Sequence, residues 1–120
     1  MVFSRPDRLC DRTDFLRVQL HGERFRGEKI TLLIAASSAA QSARLGLTIS
    51  RKVGGAVVRN RVRRQLREAS RSIGDDLIPG FDYVVIAAPQ AARCTYAILA
   101  DELTSLVKRS RAWASRKKSS

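Results

Sequence analysis

Between Arg51 and Glu68 the chain reads RKVGGAVVRNRVRRQLRE, with seven basic residues and one acid in eighteen positions. Guanidinium groups at this density do phosphate chemistry. Their planar forks donate two parallel hydrogen bonds to phosphate oxygens and stack on bases. Groups that make or break bonds are sparse by comparison. His21 is the single histidine and stands beside Gly22, where capping or packing is its expected role, which excludes a nuclease built on paired histidines. Cys10 and Cys94 lack CxxC spacing, and no Cys, His or Asp cluster has metal-ligand spacing. Asp75-Asp76 reads as a turn and Asp101-Glu102 as the wet face of a helix. Gly54-Gly55 lacks the Lys-Ser/Thr that follows the glycines of a P-loop, so the pair either brings backbone N–H groups to a phosphate or turns a strand into a helix.

The rest of the chain agrees with a polyanionic partner. Its 120 residues carry a formal charge of +12, with 44% hydrophobic residues, enough for one domain with a real core. Eighteen arginines against five lysines favour nucleic acid over a membrane surface. The longest apolar run, Tyr83 to Ala88, is six residues, whereas a spanning helix needs about 20. The N-terminus lacks the apolar core of a signal peptide, so a reducing, cytoplasmic location and no membrane partner are expected.

These residues need elements to position them. Met1 to Arg12 reads as a basic N-terminal arm. Thr13 serves as the expected N-cap of a first helix that Gly22 ends. Gly22 to Gly27 reads as a charged loop and Lys29 to Ala36 as a strand, followed by a small-residue connection over Ser37 to Ser42. Leu45, Leu47 and Ile49 alternate with Gly46, Thr48 and Ser50, a half-buried strand whose small polar face is either wet or the floor of a groove. A second helix runs from Ala56 to Ile73, a third strand spans Tyr83 to Ala88, and a third helix spans Thr95 to Arg109. Residues 110–120 read as a flexible basic tail of a single domain over residues 1–120, with Trp113 available to pin its start.

At about 100° per residue, Val58, Val62, Leu66, Ala69 and Ile73 fall within an arc of roughly 80° that faces the core. Arg59, Arg63, Arg67 and Arg71 form a row on another side, extended by Asn60 and Arg64. Ordinary surface helices mix charge signs, but this one carries six arginines with Glu68 as its only acid. Like charges at i, i+4 repel by a few tenths of a kcal/mol, which a polyanion would relieve. A DNA-binding zipper is excluded, because Gly74 and Pro79 interrupt any heptad seam.

The segment LGLTISRKVGGAVVRNRVRRQLRE, Leu45 to Glu68, resembles the signature of the protein subunit of bacterial ribonuclease P: a strand ending in Ser-Arg-Lys-Val-Gly, then Ala-Val-x-Arg-Asn-Arg and a basic helix. Agreement extends to Arg8-Leu9, Asp14-Phe15, His21-Gly22, Asp82-Tyr83 and Thr95-Tyr96, nearly the whole chain. The resemblance implies an α+β fold, a two-layer αβββαβα sandwich with a left-handed βαβ crossover, against the right-handed preference of about 98%. It further implies a protein cofactor of a catalytic RNA that hydrolyses precursor tRNA to leave a mature 5′ end, with Mg²⁺ bound mainly by that RNA. Expected partners are the ribonuclease P RNA, one protein per RNA, and precursor tRNA, and no catalytic residue is expected in the protein. Arg51, Lys52, Arg59, Asn60, Arg61, Arg63, Arg64, Arg67 and Arg71 are the implied contacts to the catalytic RNA.

The same resemblance implies a cleft for the single-stranded 5′ leader of the substrate, with Phe15 as its aromatic. Some members have further aromatics at the positions of Gln19 and Leu33, and neither is aromatic here. Leader contacts are therefore expected from Phe15 together with Arg12, Arg17, Thr48 and Ser50. The competing readings are a non-catalytic, ribosome-associated RNA-binding protein and, less well supported, a DNA-binding regulator.

Overall fold

The computed structural model describes residues 7–9, 11–37 and 42–119. Most of the N-terminal arm, Cys10 and most of the Ser37–Ser42 connection lie outside the described residues. In chain order the elements are β1 (Asp7–Arg8), α1 (Arg12–His21), β2 (Glu23–Arg26), β3 (Ile30–Ala36), β4 (Arg44–Thr48), α2 (Ala56–Ser72), β5 (Phe81–Ala87) and α3 (Tyr96–Ser119). Short 3₁₀ turns at Gly74–Asp76 and Pro89–Arg93 flank β5. The strands form one mixed sheet in the order β1-β4-β5-β3-β2, in which β1, β4 and β5 run parallel and β3 is antiparallel to both β5 and β2. Apart from the two-residue β1, this is the αβββαβα order.

Strand alternation divides the core in two. Ile30, Leu32, Ile34, Leu45, Tyr83 and Val85 face α2 and α3, where Val62, Leu66, Leu99, Leu103 and Leu106 close the main core. Leu33, Ala35 and Val84 face the other way, where Val18 of α1 and Leu9 complete a smaller cluster. The hand of the β4–α2–β5 crossover follows from one hydrogen bond. Leu9 N–H donates to the Leu45 carbonyl at 3.0 Å, so that carbonyl points toward β1 while the Leu45 side chain lies under α2. For L-residues this puts β5 to the left of β4 as seen from α2. The crossover is left-handed.

Four expectations are corrected. Glu23–Arg26 is a strand rather than a charged loop, because its backbone pairs with Thr31 to Ile34 and Phe25 packs against the main core. The last helix does not stop at Arg109 to leave a flexible tail. It continues to Ser119, since Ser110 and Ala114 are fully buried, Trp113 packs edge-on against Phe81 with ring centroids 6.1 Å apart, and Arg111 pairs with Asp76 at 3.3 Å. Glu102 is not on a wet face: its carboxylate accepts the backbone N–H groups of Glu28, Lys29 and Ile30 at 3.1, 2.8 and 2.7 Å, tying the β2–β3 turn to α3. The first helix also begins slightly earlier, with Asp11 as N-cap accepting from Thr13 N–H at 3.0 Å.

The small cluster under α1 is reinforced by charge. Asp82 is fully buried; Arg44 grips it with Nε on Oδ1 and Nη2 on Oδ2, both at 2.7 Å, and Arg17 of α1 reaches Oδ2. Asp14 adds contacts to Arg17 at 3.5 Å and Arg44 at 3.4 Å. The hydrogen bonds that Arg44 donates to Asp82 hold its guanidinium above its already high ordinary pKa, so it stays charged throughout. Removing one partner of a buried pair costs about 3–5 kcal/mol when the other charge is stranded. Arg17 and Arg44 keep 33% and 21% of their side-chain exposure and reach water, so Asp82→Ala is expected at the low end, about 3 kcal/mol. Glu68→Ala, which loses one exposed pair, should cost under about 1 kcal/mol. Urea denaturation of the two variants checks the contrast.

Candidate nucleic-acid interface

The helix α2 starts where Gly54 turns the chain off the sheet. Gly54 has φ +155°, and a Cβ there would lie 3.0 Å from the Val58 side chain, so a side chain would be both strained and crowded. Gly55 caps the helix without a side-chain hydrogen bond, leaving the first N–H groups of α2 without a side-chain cap. Val62, Leu66 and Ala69 are buried and Val58 packs on the core, as the apolar arc predicts.

Asn60, Arg63, Arg64, Arg67 and Arg71 occupy one side of α2 and line a groove of about 830 Å³. Its other wall and floor are Arg8 and Leu9, Leu45 to Leu47 of β4, and the ring of Phe15 from α1. The ring lies directly on Gly46, where a Cβ would come within 2.7 Å of Phe15 Cε1 and closer still to Cζ. The polar face of β4 is thus a groove floor beneath an aromatic. Arg63 Nη1 donates to Asn60 Oδ1 at 2.7 Å, and Arg71 makes one long pair with Glu68 at 3.5 Å. Arg8, Arg64 and Arg67 make no ion pair among the described residues. Their charge is available to a ligand.

Not every expected contact faces this groove. Arg61 is half-buried on the opposite flank of α2, where Nη2 donates to the Ala92 carbonyl of the 3₁₀ turn before α3. Its geometry is that of an anchor. Arg59 is half-buried outside the groove lining, with Nε buried and unpartnered among the described residues. Arg51 and Lys52 are exposed in the turn after β4, where Lys52 N–H donates to Ser50 Oγ at 3.3 Å. In the expected leader cleft, Phe15 and Thr48 share the α1 face of the sheet, and Ser50 follows Thr48 at its open end. Arg12 is exposed at the start of α1. Arg17 stands apart: its guanidinium is held by Asp82, by Asp14 and by the Ala36 carbonyl at 2.8 Å, at the Arg44 end of the sheet. Arg8 belongs to the Arg8-Leu9 agreement with the family but is not among the expected contacts, because a two-residue strand leaves no period to read. Among the described residues, no three His, Cys, Asp or Glu side chains come together to hold a metal, and no helix is long and apolar enough to cross a membrane.

The fold and groove together define a small α+β domain whose one-sided arginine helix suits a polyanion. Comparison with known proteins makes this specific. The family model for ribonuclease P matches residues 3–111. Similar curated proteins include the ribonuclease P protein component of Clostridioides difficile, 36% identical over 110 residues that cover 91% of this chain and 96% of the relative. That of Paramagnetospirillum magneticum is 39% identical over 111 residues, covering 88% and 84%. Among solved structures, the RNase P protein from Thermotoga maritima superposes with a TM-score of 0.75 at 31% identity, covering 86% of this chain and 96% of that one. The Staphylococcus aureus RNase P protein gives 0.77 at 26% identity, covering 86% and 94%. The chain belongs to the ribonuclease P protein family.

The contact between Phe15 and Gly46 sets a prediction. Gly46→Ala overpacks the groove floor and should cost about 1–3 kcal/mol while displacing the ring. Gly55→Ala meets nothing within 4 Å at an ordinary φ of −72° and should lie within about 1 kcal/mol of the parent. Thermal unfolding of both variants distinguishes the two sites.

Proposed function

We infer that the chain is the protein subunit of ribonuclease P and assists a catalytic RNA in cutting precursor tRNA at the mature 5′ end. The observation that supports this most directly is the shared groove, in which the Phe15 ring stands across from Asn60, Arg63, Arg64, Arg67 and Arg71. A cationic helix tracks the phosphates of the folded RNA, and an aromatic opposite it stacks an unpaired base. Stacking on one aromatic contributes roughly 1–3 kcal/mol and tolerates any base, which suits a leader of variable sequence. Mg²⁺, in this reading, is held mainly by the RNA, and the protein supplies positive charge that lowers the repulsion between substrate and catalyst. The same reading has one protein per RNA.

The arginines should carry the salt dependence. Each neutralised phosphate contributes a slope of roughly −0.7 to −0.9 to log affinity against log salt. Replacing Arg63, Arg64, Arg67 and Arg71 by Ala should weaken binding of the catalytic RNA and flatten that slope by about 3. Arg61→Ala should instead lower stability, through loss of the Ala92 anchor, and leave the slope within about 1.

The deciding experiment is 5′ cleavage of precursor tRNA by a bacterial ribonuclease P RNA at low Mg²⁺, with the protein, without it, and with the protein alone. Strong stimulation that needs both components is expected. Tight RNA binding without stimulation would favour a ribosome-associated role instead. Phe15→Ala should weaken binding of precursor but not of mature tRNA; equal loss for both would remove Phe15 from leader recognition.

A further inference from the structure

A second concentration of charge lies outside the groove. From Leu103 to Ser120 the chain has six basic residues and no acid, half of its formal charge of +12. All six belong to α3, and the match to the family model ends at Arg111, so the helix carries Arg116, Lys117 and Lys118 beyond it. At about 100° per residue, Leu103, Leu106, Val107, Ser110 and Ala114 share one arc of α3, and all are buried. Ser105, Lys108, Arg109, Ala112, Ser115 and Arg116 share an opposite arc of about 120°, and all are exposed. Trp113 against Phe81 and the pair of Arg111 with Asp76 fasten this part of the helix to the domain. Lys108 and Arg109 make no ion pair among the described residues, and Arg109 stands over the Phe25 ring, 5.8 Å from its centroid. The helix dipole favours cations only near the last turn. Lys108 and Arg109 stand about three turns before Ser119, so the dipole does not account for them.

The exposed arc selects its partner by what it contains. It has no large apolar side chain, so a membrane surface would meet charge with nothing to insert. It has no aromatic ring on which an unpaired base could stack, because Trp113 is half-buried against Phe81. Short side chains, Ser105, Ala112 and Ser115, lie between long cations, which lets the helix backbone come close to a duplex while Lys108, Arg109 and Arg116 reach its phosphates. Double-stranded RNA is recognised in this way, through its shape, phosphates and 2′-hydroxyls. From Lys108 to Arg116 the arc runs about 12 Å along the helix. Its location separates it from the groove: Arg109 stands over β2, whereas the groove opens beside β4, three strand spacings or roughly 14 Å away. The helices α2 and α3 cover the same face of the sheet, opposite α1 and Phe15.

We propose that the exposed arc of α3 is a second RNA-binding surface, which grips a double-helical segment of the catalytic RNA distinct from the one that α2 contacts. The proposal rests on the function proposed above and extends it. Charge complementarity gives the affinity, and the layer shared with α2 assigns the surface to the catalytic RNA rather than to the substrate's leader. A large folded RNA spans both surfaces, which fixes the orientation of the protein on it.

The test measures binding of the full-length protein to a bacterial ribonuclease P RNA across a salt series, with ribose footprinting of the bound RNA. The variants are the triple substitution Lys108→Gln/Arg109→Gln/Arg116→Gln and a charge-matched control, Arg24→Gln/Arg26→Gln/Arg93→Gln, in exposed residues elsewhere. The triple variant should bind roughly tenfold more weakly, the loss expected for three exposed charge contacts. Its salt slope should be shallower by about 2. Footprinting should lose protection at one RNA helix while the segment protected through α2 stays protected. Ala112→Glu separates binding from folding. The introduced carboxylate lies at i, i+4 from both Lys108 and Arg116, a spacing that supports the helix, so thermal stability should hold while RNA affinity falls. Unchanged affinity of the triple variant, or a loss matched by the control, would overturn the second surface. So would a loss confined to precursor tRNA, or binding of the parent to anionic phospholipid vesicles that the triple variant loses while its RNA affinity is intact. If the parent protein fails to bind the RNA at all, the proposed function fails; if only the triple variant behaves like the parent, the α2 contact stands and the α3 contact alone is refuted.

Discussion

The carboxylate of Asp82 is the constraint from which the rest of the architecture follows. It is fully buried on β5, held by two hydrogen bonds from Arg44 of β4 and reached from above by Arg17 of α1. A buried anion of this kind is tolerable only if its partners arrive in fixed geometry. Satisfying it joins the parallel strands of the crossover to a helix on the opposite face. The apolar cluster beneath α1 is small, with Leu9, Val18, Leu33, Ala35 and Val84 as its buried members. The ion network therefore decides how α1 sits, and with it where Phe15 lands.

Where Phe15 lands determines what the groove can recognise. Gly46 leaves room for the ring to lie on the backbone of β4, and α2 passes along the same strand with its arginines facing across. In the proposed function, a phosphate chain and an unpaired base are then engaged side by side without either contact moving. Rigidity comes from the far side of α2, where Val62, Leu66 and Ala69 are buried and Arg61 is tied to Ala92. The i, i+4 repulsion within the arginine row is a standing cost that these anchors offset and that a polyanion would remove.

Much of this was legible beforehand, for local reasons. The period-two pattern at Leu45, Leu47 and Ile49 and the 3.6-residue pattern at Val58, Val62 and Leu66 report burial directly, because each face meets a continuous core. Where the reading failed, the deciding partner was distant in sequence. Glu23–Arg26 is strand because β3 offers its edge, and its own residues, mostly charged, carry no alternation. Glu102 looked like a surface acid until the β2–β3 turn, some seventy residues earlier, presented three N–H groups to it. The intramolecular partners of Arg17 and Arg61, Asp82 and the Ala92 carbonyl, were likewise beyond the reach of local pattern.

By itself the sequence determined the charge, the segment that carries it and the apolar stripe that anchors that segment, since these depend on residue type and spacing along one helix. The ribonuclease P resemblance was likewise visible at that level, being carried by short contiguous motifs. Only the tertiary structure decided which arginines are available and which are already engaged, and that Phe15 and the arginine helix share one groove. Those facts depend on strand register and on buried charge satisfaction, which bring together residues that no local period relates.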